Sequence, residues 1–202
     1  MRKFSGLLER LYYEHSNLGK EKLLCDYFAS TPDPDRGYAL AIIAGTLDVP
    51  HFKRGLVLEL VSQRVDPTLL AMSYDYVGEL SETVAHLWSG APDGSVALPP
   101  LSQVVGELLS KSKSDLPAHV ARMLDVMTSA ERWAFLKIGT GTLRVGVSSR
   151  FIKQVLAKFG GKPVEEIETL WHGLEPPYTE LFAWLEGKAE SPAVHKLSLI
   201  HI

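Results

Sequence analysis

Seven cationic side chains and no acidic one fall within the 33 residues Arg132 to Val164: Arg132, Lys137, Arg144, Arg150, Lys153, Lys158 and Lys162. The chain carries a formal net charge of −3, so this stretch holds +7 and the remainder −10. Surface charges of both signs normally intermix, which makes so long a one-signed run a candidate footprint for a polyanion. Gly139, Gly141, Gly146, Gly160 and Gly161 thread the same stretch, and Ser148-Ser149 stands in the middle of it. Glycine lets a backbone come close to a ligand. A helix start offers unpaired N–H groups and a positive dipole end, and serine hydroxyls add donors. The pattern suits a phosphate seated on Gly146, Val147, Ser148 and Ser149, with Arg144 and Arg150 beside it.

The kind of anion is narrowed by what the stretch lacks. It has no G-x-x-x-x-G-K-[ST] loop, and no strand precedes the glycines, so a mononucleotide site is disfavoured. Cations spread along a helix and a loop fit an extended phosphate backbone better than one small phosphate. The aromatic residues fall at core positions rather than on a base-stacking platform. Duplex DNA, touched through its backbone and minor groove, is the preferred polyanion.

The elements that would hold these residues are helical throughout. Residues 148–159 place Phe151, Ile152, Val155, Leu156 and Phe159 on one face and Arg150, Lys153, Gln154, Ala157 and Lys158 on the other, so the apolar face docks and the basic face stays outside. Upstream, Phe4, Leu7, Leu8, Leu11 and Tyr12 mark a first helix, and Leu23, Leu24, Tyr27 and Phe28 a second after the Ser16-Asn17 break. The turn at 30–37 offers Asp33 and Asp35 as caps for a helix over 35–47, whose small residues predict close helix–helix contact. Pro50 opens the next helical pattern, Asp66-Pro67 reads as a cap with proline at the first helical position, and Ser81 as a further cap. Residues 89–100 hold three prolines and two glycines and read as a seam between subregions. Beyond it come short helices around 101–109 and 120–127. A helix capped by Thr128-Ser129 follows, then a glycine-rich turn at 139–146, and after residues 148–159 two short helices at 163–172 and 177–186. No period-two alternation appears. The expected fold is all-α, a multi-helix orthogonal bundle of about a dozen helices, spanning residues 1–190. Residues 191–202 are expected to be a linker or the truncated start of a further domain.

Bulk properties bound the remaining possibilities. An apolar fraction of 46% and a charged fraction of 22% are those of a globular chain able to bury a core. Cys25 is the single cysteine and reads as a buried small residue. With no apolar run approaching a bilayer span and no secretory pattern at the N-terminus, a cytoplasmic protein is expected, with no membrane partner. His195 and His201 lack further ligands, so no metal site is expected.

At LKIGTGTLRVGVSSRFIKQVLA, residues 136–157, the chain resembles the helical N-terminal DNA-binding domain of bacterial-type ATP-dependent DNA ligases. Residues 23–41 and 74–88 are similar to other stretches of that domain, and the likeness covers about residues 1–190. The resemblance implies a domain that grips duplex DNA, nicked for preference, through phosphate and minor-groove contacts, so that a parent enzyme can seal the nick in replication, repair or recombination. It implies Thr140, Gly141, Thr142, Arg144, Gly146, Ser148, Ser149, Arg150 and Lys153 as DNA contacts. The family's nucleotide-accepting lysine sits in K-x-D-G, and no lysine here has that context; Lys137 and Lys162 do not match. The chain is therefore expected to carry no catalytic residue, to need no cofactor of its own (ATP and Mg²⁺ belonging to the parent enzyme), to form no covalent adenylate alone, and to act as a monomer.

Two rivals stand beside this reading. One is a helical protein–protein scaffold whose basic stretch meets an acidic partner. The other is a standalone enzyme, but Asp33, Asp35, Glu165 and Glu166 sit in cap-like contexts and no His–acid pairing stands out.

Overall fold

The computed structural model describes residues 1–90, 92, 94–141 and 143–193. Among them run twelve α-helices and no strand, as the periodicities predict. Tertiary contacts divide the chain into two compact units: residues 1–13 with 47–145, and residues 14–46 with 146 onward. The chain tail from residue 194, with His195 and His201, lies outside the described residues, as does Thr142.

The first unit holds α1 (Arg2–Tyr13), α4 (Arg54–Ser62), α5 (Pro67–Val77), α6 (Leu80–Leu87), α7 (Leu101–Ser110), α8 (Leu116–Val126) and α9 (Ser129–Thr140). Its centre is α9, which packs against α1, α4 and α6. Every residue from Glu131 to Gly139 except Trp133 is buried. A helix surrounded on all sides has no solvent face for charge, so its three ionic side chains must be satisfied internally. Thr128 starts it with a capping box, its hydroxyl accepting from Glu131 N–H while the Glu131 carboxylate accepts from Thr128 N–H. The same carboxylate takes Arg2 Nε at 2.7 Å, which ties α1 to the first turn of α9.

The described residues of the proline-rich stretch 89–100 belong to this unit. The Met1 ammonium donates to Pro99 O at 2.8 Å and Arg2 to Val96 O at 2.8 Å. Two expectations need correction. Pro50 sits in a turn and α4 begins only at Arg54. Ser81 is the second residue of α6, wholly buried. The cap is Glu79, whose carboxylate accepts from Ser81 and Glu82 N–H at 3.0 and 2.8 Å. Asp66 does cap α5, ahead of Pro67, accepting from Thr68 and Leu69 N–H. That helix buries no residue: Leu69, Met72 and Tyr76 stay exposed.

The second unit holds α2 (Asn17–Ser30), α3 (Asp35–Ala44), α10 (Ser149–Gly160), α11 (Val164–Trp171) and α12 (Thr179–Leu185). Here α10 is the hub, packing on α2, α11 and α12. Its stripe Ile152, Val155 and Leu156 is buried and meets a cluster of Phe28, Phe159 and Phe182, with ring centroids 5.2 to 6.1 Å apart. Arg36 lies 4.4 Å over the Phe182 ring, donates to Asp33 and to Phe28 O, and pairs with Glu186.

Asp33 is thus occupied by Arg36, and neither it nor Asp35 caps α3, whose N-cap is Pro34 without a side-chain bond. The helix stops at Ala44, three residues short of expectation, because Gly45 turns left-handed at φ 72°. The close approach expected of α3's small residues is real, but its partner is a loop. A Cβ on Gly37 would lie 1.4 Å from the Pro177 carbonyl oxygen. Cys25, expected buried, is half-buried; burial, ahead of Glu21, pushes its thiol up.

Candidate functional site

The chain passes from the first unit to the second between Val145 and Gly146, within the basic segment, and each part has its own geometry. In the first unit the segment begins as the buried centre of α9. Arg132, 2% exposed, donates to the carbonyls of Leu124, Trp88 and Gly90 at 2.8, 2.9 and 3.0 Å. It holds the end of α6, the following loop and α8, and its burial keeps it from a ligand in solvent. Burial lowers its pKa. Lys137, 5% exposed, pairs with Glu79 at 2.9 Å. Burial alone would raise the Glu79 carboxyl. The Lys137 bond and two backbone N–H groups outweigh it and hold that carboxyl below its ordinary value.

Gly139, read in the sequence as part of a glycine turn, is still helical and buried; a Cβ there would lie 2.5 Å from the Phe52 ring. Thr140 ends α9. Its hydroxyl lies 2.8 Å from Ser81 Oγ and donates to Leu136 O at 3.0 Å, so its side chain serves the helix end. Beyond it the segment opens. Gly141 is exposed at φ 66°, ψ −157°, a conformation essentially reserved for glycine. Arg144 is exposed, with no hydrogen bond or ion pair among the described residues.

In the second unit Gly146 is exposed at φ 68° and forms the turn into α10. Its carbonyl accepts from Lys20 Nζ at 3.4 Å, and Lys20 is itself 9% exposed. A Cβ at 146 would stand 2.1 Å from that ammonium, so the tight turn and the lysine both favour glycine. Lys20 is a cation that the sequence pattern did not flag, being distant in the chain and set in an ordinary helical run. Ser148 is the N-cap, accepting from Phe151 N–H at 3.1 Å and keeping its own O–H to donate. Ser149 and Arg150 are exposed, and the first turn of α10 contains no acid. Lys153, half-buried, sits with its ammonium 5.5 Å from the centre of the Trp171 ring, a cation–π contact that orders it without neutralising it. Further along, Lys158 is taken up by Glu21, which raises its pKa, and Lys162 lies over Trp184.

Of the seven cations, then, two are built into a core and one is paired with a carboxylate. Arg144 in the first unit and Arg150, Lys153 and Lys162 in the second keep their charge available. The chemistry such groups offer is donation: N–H and O–H donors, a helix start and cations without carboxylate partners among the described residues, suited to anionic oxygen. Among the described residues no group of three or more His, Cys, Asp or Glu side chains is arranged to hold a metal ion. No described helix is long and apolar enough to cross a membrane. No protein-family model matches the sequence, and no curated protein matches it.

Proposed function

We propose that this chain is a duplex-DNA-binding module, the helical domain with which an ATP-dependent DNA ligase grips its nicked substrate. The observation that carries it lies in the second unit, where Gly146, Ser148, Ser149 and Arg150 are exposed at the start of α10, with no acid in its first turn and no ion pair at Arg150 among the described residues; Arg144 of the first unit is likewise exposed and unpaired among them. These groups recognise phosphate oxygens and sugar rather than base edges, so binding is weakly sequence-selective and driven by counterion release. The ligase assignment rests on the resemblance of residues 136–157, and the DNA-binding assignment on the residues themselves.

The test is anisotropy of a labelled nicked duplex over a range of salt concentrations. Roughly three to five phosphate contacts predict a log–log slope of about −3 to −4.5. Undetectable binding at low salt, or binding indifferent to salt, overturns the proposal. Incubation with labelled ATP and Mg²⁺ is expected to leave the chain unmodified. A stoichiometric covalent adduct contradicts the assignment of nucleotidyl transfer to another part of the parent enzyme.

A further inference from the structure

The first unit also carries a cavity of about 280 Å³ far in character from the basic segment. Three helices wall it, each with residues one helical turn apart: Glu9, Tyr12 and Tyr13 from α1, Glu82 and His86 from α6, and Trp133 above Ala130 from α9. Tyr12 meets Trp133 edge to face at 5.7 Å and Tyr13 edge to face at 5.2 Å, so the rings support one another. Tyr12 is 47% and Tyr13 71% exposed, a large aromatic surface to leave in water. Glu9 and Glu82 come from different walls, α1 and α6, and neither carboxylate has a hydrogen-bond or ion-pair partner among the described residues. The positive end of α9, which opens onto the cavity through Ser129 and Ala130, is already offset by Glu131.

Aromatic rings lined up with two unpaired carboxylates in one cavity recognise a cation. A planar guanidinium fits best, since it stacks on aromatic faces and bonds a carboxylate through two N–H groups. The volume lies just below the usual range for a small-molecule pocket, which suits one inserted side chain. Phosphate is repelled by the same carboxylates, so nucleic acid is the wrong occupant. The geometry points to a docking site for an arginine side chain on a basic segment of a partner protein, received between α1, α6 and α9. The cavity is independent of the DNA-binding proposal and stands or falls without it.

The experiment is a heteronuclear NMR titration of the full chain with acetyl-Gly-Ala-Arg-Ala-Gly-amide, repeated with citrulline in place of arginine. The arginine peptide is expected to shift signals of α1, α6 and α9 saturably, in the millimolar range for so short a ligand. The citrulline peptide, isosteric but neutral, is expected to bind about fivefold more weakly or worse. The double variant Glu9→Gln with Glu82→Gln should lose a similar factor, and Tyr13→Ser, at an exposed position at the end of α1, should weaken binding while the chain stays folded. Equal binding of the two peptides, shifts centred elsewhere, or no saturable shift each overturn the inference.

Discussion

Residues 132–140 of α9 and residues 146–153, which lead into α10, look alike in the sequence, since both carry cations, glycine and no acid. In the structure they do opposite work. Along α9 the helix is enclosed, so Arg132 and Lys137 become internal ties, one to three carbonyls and one to Glu79. Around α10 only one stripe is enclosed, so Arg150 is left in water and Lys153 is steadied on Trp171. Charge in a one-signed segment is therefore not one quantity. The enclosure of the helix decides whether a cation is spent on the fold or kept for a ligand.

The difference can be broken most forcefully at Arg132. Arg132→Met removes donors that reach three backbone carbonyls, and should cost about 3 kcal/mol of stability by urea unfolding. DNA affinity of the folded fraction should be unchanged. Lys137→Met strands the Glu79 carboxylate and should cost about 2 kcal/mol at neutral pH. This pair also sets a pH signature. The carboxyl of Glu79 is held below its ordinary value of 4.5 in the folded chain. The unfolded chain therefore binds the proton first, and the stabilisation, present above that ordinary value, is lost as pH falls through the lower folded-state value. Acid titration of stability should show wild type and Lys137→Met converging as pH drops through this range. Parallel curves would mean that the loss in Lys137→Met comes from packing and not from the ion pair.

Glycines sharpen the contrast at smaller cost. Gly139→Ala forces the Phe52 ring aside within a packed core and should destabilise by about 2 kcal/mol without touching DNA affinity. Gly146→Ala meets a left-handed backbone and the end of a flexible lysine, and should cost about 1 kcal/mol while weakening DNA binding. Equal losses of affinity in the two variants would erase the distinction between α9 and α10.

Much of this was legible in the sequence, for physical reasons that particular residues make plain. The wheel of 148–159 separates apolar from basic faces cleanly, and α10 buries Ile152, Val155 and Leu156 as that wheel requires. Thr128 and Asp66 act as caps because their neighbours, Glu131 and Pro67, specify the motif locally. Enclosure was not legible. The burial of Arg132 and Lys137 depends on α1, α4 and α6, brought in from elsewhere in the chain, and no local pattern in residues 129–140 announces it. Glycine was misread for the same reason. Gly139 looks like Gly141 in the sequence, yet one accommodates a phenylalanine ring inside a helix and the other turns the chain. Likewise Glu79 and not Ser81 caps α6, because Ser81 is drawn into the interior beside Thr140.

The most direct test of the claim that α9 cations serve the fold and the 144–153 cations serve a polyanion is a comparison of salt slopes. Arg144→Ala, Arg150→Ala and Lys153→Ala should each leave stability within about 0.5 kcal/mol and flatten the slope of duplex binding by about one unit. Combined, they should remove most of the salt dependence and of the affinity. A triple variant that folds as wild type and keeps the full slope would contradict the account.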